Sequence, residues 1–86
     1  MKLVHHKKFT KAYANLDRTL QSKIDVVIGL FQIDPTNRIL ENHALQGKLL
    51  GRRAIKVTGD VRIVFREIDD YMLVILLDVG THNQVY

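Results

Sequence analysis

The chain has 86 residues and 9.9 kDa, 47% of them hydrophobic and 26% charged, with no cysteine. That is one domain with a single modest core, and it excludes a disulfide framework or a thiolate-held metal. Thirteen Lys and Arg against nine Asp and Glu give +4 and a pI of about 9.6. This balance favours anionic partners, nucleic acid first, although taken alone it is better explained by a solvated basic surface. The start, "MKLVHHKKFTKAY", lacks a signal-peptide apolar run, and no stretch reaches membrane-spanning length. A cytoplasmic protein without membrane contact is the expectation.

The opening "MKLVHH" reads as a short strand. In "KKFTKAYANL", Phe9, Ala12, Tyr13 and Leu16 recur at helical spacing, and Asp17 then serves as N-cap of a second helix. Leu20, Ile24, Val27, Ile28 and Phe31 form its apolar stripe, which ends at the "DPTN" turn because Pro35 cannot continue a helix. These stripes are core. From Asn37 to Gly51 no period is visible, and the segment reads as a loop crossing to the sheet. Three strands follow as a meander, "RRAIKVT", "VRIVFREI" and "YMLVILLDV", with turns at Thr58-Gly59-Asp60 and Asp69-Asp70. One domain spanning residues 1–86 is expected, of the α+β class: an N-terminal strand, two helices, and a three-stranded antiparallel meander with helices on one sheet face.

The first hairpin's register sets where its charges point. A three-residue turn pairs Ile55 with Ile63, Val57 with Val61, and Lys56 with Arg62, leaving both cations on the face away from the core. A one-residue slip would exchange the faces, so the core enforces this register. Two cations directly opposite each other repel, which calls for an anion between them: a ligand, or a carboxylate such as Asp60. The last strand is apolar on both faces, so it is an inner strand, flanked by Val61–Ile68 and by the N-terminal strand. Its end delivers "GTHNQVY", with His82 and Tyr86.

With these residues in place, the chain resembles the RelE/ParE superfamily of toxins from type II toxin–antitoxin systems, most of all its YafQ-like branch. The resemblance rests on the element order and on "HALQGKLLGRRAIKV", "DVRIVFREIDD" and "VGTHNQVY", and covers nearly the whole chain. It implies a ribosome-dependent endoribonuclease that cuts translating mRNA, needs no metal or other cofactor, and is neutralised by a cognate antitoxin. Operator DNA would be met only through the antitoxin complex. YafQ-like members are similar at His43, Asp60, His82 and the aromatic position Tyr86, but tend to carry histidine where Lys56 stands. RelE-like members are similar at Lys56, Arg62 and Tyr86, with arginine usual in place of His82.

Metal-free RNA cleavage needs a base for the 2′-hydroxyl, cations for the phosphorane, and an acid for the departing 5′-oxygen. Histidine suits proton transfer near neutrality, and an aromatic ring near the cut can stack on a base or orient the phosphate. The roles expected are His82 as acid, Lys56 and Arg62 as phosphate clamp, Arg53 as a further RNA-binding cation, and Tyr86 as orienter, with His43 and Asp60 competing as base. The alternatives are a ParE-like toxin that binds DNA gyrase without catalysis, and a degenerate toxin serving in repression. Without the resemblance, His82 reads as an ordinary loop histidine, Tyr86 as a cap on the core edge, and Lys56 and Arg62 as a solvated face.

Overall fold

The computed structural model describes all residues, Met1–Tyr86. Strand β1 (Lys2–His5) is followed by helices α1 (Lys7–Ala14) and α2 (Arg18–Ile33), a 3-10 turn at Arg38–Leu40 and the two-residue strand β2 (His43–Ala44). A second 3-10 turn at Gly47–Leu49 leads to β3 (Arg53–Lys56), β4 (Val61–Ile68), β5 (Leu73–Thr81) and the terminal helix α3 (His82–Val85). No helix is long and apolar enough to cross a membrane.

The helices begin where local chemistry starts them. His6 caps α1, its Nδ1 accepting from the Lys8 N–H at 3.0 Å, and Asp17 caps α2, accepting from the Leu20 N–H at 2.8 Å. The α2 stripe buries Ile24 and Phe31 completely. With Phe9 they meet Ile55, Ile63, Phe65, Val74, Leu76 and Val79 of the sheet, with Phe31 and Phe65 edge to face at 4.9 Å between centroids.

The sheet has five strands in the order β1-β5-β4-β3-β2, with β1 parallel to β5 and the other pairs antiparallel. The three-stranded meander is its centre, and β5 is indeed an inner strand between β1 and β4. The expected register is found: Ile55 faces Ile63 and Lys56 faces Arg62, with the Val57 N–H donating to the Val61 carbonyl at 2.9 Å.

Three expectations are corrected. The segment from Asn37 to Gly51 is not all loop, since His43 and Ala44 pair with Ala54 and Arg53 as β2; two residues are too few to show a period. The second turn is longer than Asp69-Asp70: Ile68 pairs with Leu73, and Asp69, Asp70 and Tyr71 all take positive φ (55°, 54° and 68°). Helices also occupy both sheet faces, not one. Val85 of α3 packs with Leu45, Ala54 and Val64 in a second small cluster, separate from the α1/α2 core.

A bulge makes that second face possible. Phe65 pairs with Leu76 while Val64 pairs with Asp78, so Leu77 is an extra residue in β5. The Asp78 carboxylate secures the bulge, accepting from the Val79 N–H at 2.9 Å and pairing with Lys8 of α1 at 3.3 Å. Beyond it Val79 returns to the main core opposite Ile63, and Gly80 lies opposite Arg62 on the far face.

Candidate active site

On the face away from α1 and α2, three segments converge: the stretch Glu41–His43, the β3–β4 hairpin, and α3. The first is held by Asn42, whose side chain reaches three neighbours. Its Nδ2 donates to the Pro35 carbonyl and to the Tyr71 hydroxyl, each at 2.9 Å, and its Oδ1 accepts from Arg53 Nε at 2.9 Å. Glu41 just before it sits at φ 48°, in the left-handed region that a glutamate seldom enters. That bend turns its carbonyl onto His43, whose Nδ1 lies 2.8 Å away. A carbonyl only accepts, so Nδ1 carries the proton and Nε2 presents a lone pair to solvent.

Lys56 and Arg62 stand opposite each other across β3 and β4. Their mutual repulsion is relieved by protein groups. Lys56 Nζ is 2.9 Å from Glu41 Oε2. Arg62 folds back over its own turn, donating from NH1 to the carbonyls of Thr58 (2.7 Å) and Val61 (3.1 Å) and from NH2 to that of Gly59 (3.3 Å). The relieving carboxylate is therefore Glu41 rather than Asp60. The Lys56 ammonium, then the charges of Arg62 and His43, hold the Glu41 carboxyl below its usual range. The guanidinium is thereby fixed in direction, with its Nε–H spent on no protein acceptor.

Helix α3 brings the last two predicted groups. It packs close over Gly80, where a Cβ would stand 2.7 Å from Gln84 Oε1 and 3.4 Å from Val85 Cγ1 and would displace the Gln84 amide. Gln84 Oε1 instead accepts from the Thr81 N–H at 2.8 Å, closing the helix start. Val85 is the apolar anchor. His82 and Tyr86, one turn apart, meet edge to face with centroids 4.4 Å apart. Partial burial raises the Tyr86 phenol above its ordinary pKa, and the Arg62 charge opposes this only in part, so the hydroxyl remains a donor.

The predicted residues thus form a chain of neighbours, from His43 through Glu41, Lys56, Arg62 and Tyr86 to His82. Asp60 joins through its main chain, its carbonyl accepting from the His82 N–H at 2.9 Å and tying α3 to the hairpin turn, while its carboxylate makes no hydrogen bond or ion pair. Arg53 does not join. It pairs with the core residue Phe65, two residues from the core residue Ile55, which puts it on the helix side of the sheet, and its Nε is committed to Asn42. The residue that sequence reasoning missed is Glu41. Its only signal was its place two residues before His43, in a stretch without a period. No three His, Asp or Glu side chains converge in the manner of metal ligands.

Comparison with known proteins agrees with this architecture. The chain superposes on YafQ from E. coli strain BL21(DE3) with a TM-score of 0.83 at 18% identity, covering 99% of this chain and 97% of that one. YafQ in the E. coli DinJ–YafQ toxin–antitoxin complex gives 0.77 at 20% identity, covering 99% and 96%. A copper-bound mutant toxin from Helicobacter pylori gives 0.72 at 27% identity, covering 100% and 99%. No curated protein matches the sequence. The family model for YafQ, a bacterial toxin of type II toxin–antitoxin systems, matches residues 1–86, and the chain belongs to that toxin family.

Proposed function

We propose that this toxin is an endoribonuclease that cleaves mRNA on the translating ribosome, without a metal, by attack of the 2′-hydroxyl on the adjacent phosphate. The observation that carries the reading is the placement of two histidines, His43 and His82, at opposite ends of the Lys56–Arg62 pair on one sheet face. His43 is the better general base of the two candidates, because the Glu41 carbonyl orients its ring and leaves Nε2 free to accept a proton, whereas no hydrogen bond or ion pair orients the Asp60 carboxylate. Nε2 takes the 2′-hydroxyl proton as O2′ bonds to phosphorus. Lys56 and Arg62 stabilise the charge gathering on the phosphoryl oxygens. His82 gives a proton to O5′ as the P–O5′ bond breaks, leaving a 2′,3′-cyclic phosphate and a 5′-hydroxyl. The Tyr86 phenol donates to a phosphate oxygen or packs under the base beside the cut. Each proton-transfer group contributes roughly 10²–10⁴ in rate.

The site is an open face rather than a cleft, so it cannot itself hold RNA in attack geometry. The ribosome supplies that positioning, and the basic surface meets ribosomal RNA with salt-sensitive affinity. The partner that silences the toxin is a cognate antitoxin, as the DinJ–YafQ complex suggests by analogy. An acidic, partly disordered chain suits the net charge of +4, and operator DNA is reached through that complex. The test is to map mRNA 5′ ends by primer extension after incubation with translating ribosomes. Cuts within codons are expected for the native protein and lost in His82→Ala and His43→Ala. Intact mRNA alongside inhibited gyrase would refute the nuclease reading.

A further inference from the structure

Glu41 is a costly choice for its position. Its main chain bears the strain of φ 48°, and it sets a negative charge among groups that would bind a phosphate. Asparagine or glycine would satisfy the same bend with less strain. The carboxylate is nevertheless well placed, with Oε2 at 2.9 Å from Lys56 Nζ, on the same sheet face as Arg62 and His43. A carboxylate on an ammonium group is a geometric substitute for one edge of a phosphodiester. Both partners are substantially exposed, at 37% for Lys56 and 60% for Glu41, so the pair is held loosely enough to open.

Resting on the nuclease reading, we infer that the Glu41 carboxylate occupies the seat of the scissile phosphodiester in the free toxin and gates the cation clamp. An incoming phosphate must displace it from Lys56. While displaced, the anion still disfavours a second negative charge a few ångströms away. Free RNA, arriving at low local concentration, loses this competition. A phosphodiester pressed into the site by a larger assembly wins it. The same residue keeps His43 in its reactive tautomer through its main-chain carbonyl, which any side-chain substitution leaves in place. Glu41 is therefore a specificity-determining residue whose removal frees the clamp without disarming the base.

The experiment titrates inorganic phosphate at constant ionic strength, following the amide resonances of Lys56 and Arg62, in the native protein, Glu41→Gln and Glu41→Asn. The asparagine variant removes the charge while favouring the left-handed backbone, so it keeps the test valid should the glutamine variant fold poorly. Both variants should bind phosphate roughly three- to tenfold more tightly, and both should cut a short ribosome-free RNA faster than the native protein does. Unchanged or weaker phosphate affinity overturns the gate, even if the native protein cleaves mRNA on ribosomes. Tighter phosphate binding without any mRNA cleavage by the native protein supports the gate and removes the nuclease reading alone.

Discussion

The most informative single perturbation is Asn42→Ala, because one half-buried amide ties the segment that carries His43 to three other parts of the fold. The substitution deletes two neutral hydrogen bonds, to the Pro35 carbonyl and the Tyr71 hydroxyl, and one to the Arg53 guanidinium. A neutral bond contributes about 1 kcal/mol net, and the bond to a charged group somewhat more when shielded. These groups are only part-buried, so water recovers some of the loss, and the expected destabilisation is about 2–3 kcal/mol. For a domain of this size that lowers Tm by roughly 10–20 °C. Urea unfolding followed by circular dichroism measures the change, and a double-mutant cycle with Tyr71→Phe should show a coupling of about 0.5–1 kcal/mol. Where the variant remains folded, cleavage should fall as well, because Glu41 and His43 lose their fixed support. A stability loss below about 0.5 kcal/mol, or no coupling to Tyr71, would refute the claim that Asn42 organises this segment.

Two further outcomes follow from the same geometry. Gly80→Ala should push the Gln84 side chain off the Thr81 N–H and cost about 0.5–1.5 kcal/mol, matching Gln84→Ala; native stability in calorimetry together with native cleavage would show that α3 needs no such closure. Acid should act through Glu41. Its carboxyl is held below its ordinary value of 4.5, first by the Lys56 hydrogen bond, so it contributes stability that is present above 4.5 and lost as pH falls through the lower folded value. Lys56→Met removes the largest cause and should flatten the decline in stability as pH falls below about 4.5; coincident slopes would exclude the linkage.

The periodic parts of the fold were legible. Apolar spacing located α1 and α2, cap chemistry located Asp17, and alternation with turn chemistry placed the β3–β4 register and therefore the facing of Lys56 and Arg62. These features depend on neighbours close in sequence, where the side-chain period is itself the signal. The same alternation speaks against Arg53 as an RNA contact: it lies three residues from Lys56, an odd step that turns it to the opposite face, where Asn42 holds it.

By itself, then, the chain's order of residues determined α1, α2, the inner strand and the pairing of the two cations, since each follows from burying one apolar face at a fixed period. Only the tertiary structure decided the rest. The Leu77 bulge shifts the strand's alternation so that Gly80 faces α3, β2 is too short to carry a period, and the left-handed Glu41 sets its carboxylate on Lys56. The bulge and the bend each arise from a single residue leaving the regular repeat, β2 from a segment too short to have one, and what each then touches is fixed by segments distant in sequence that fold against it.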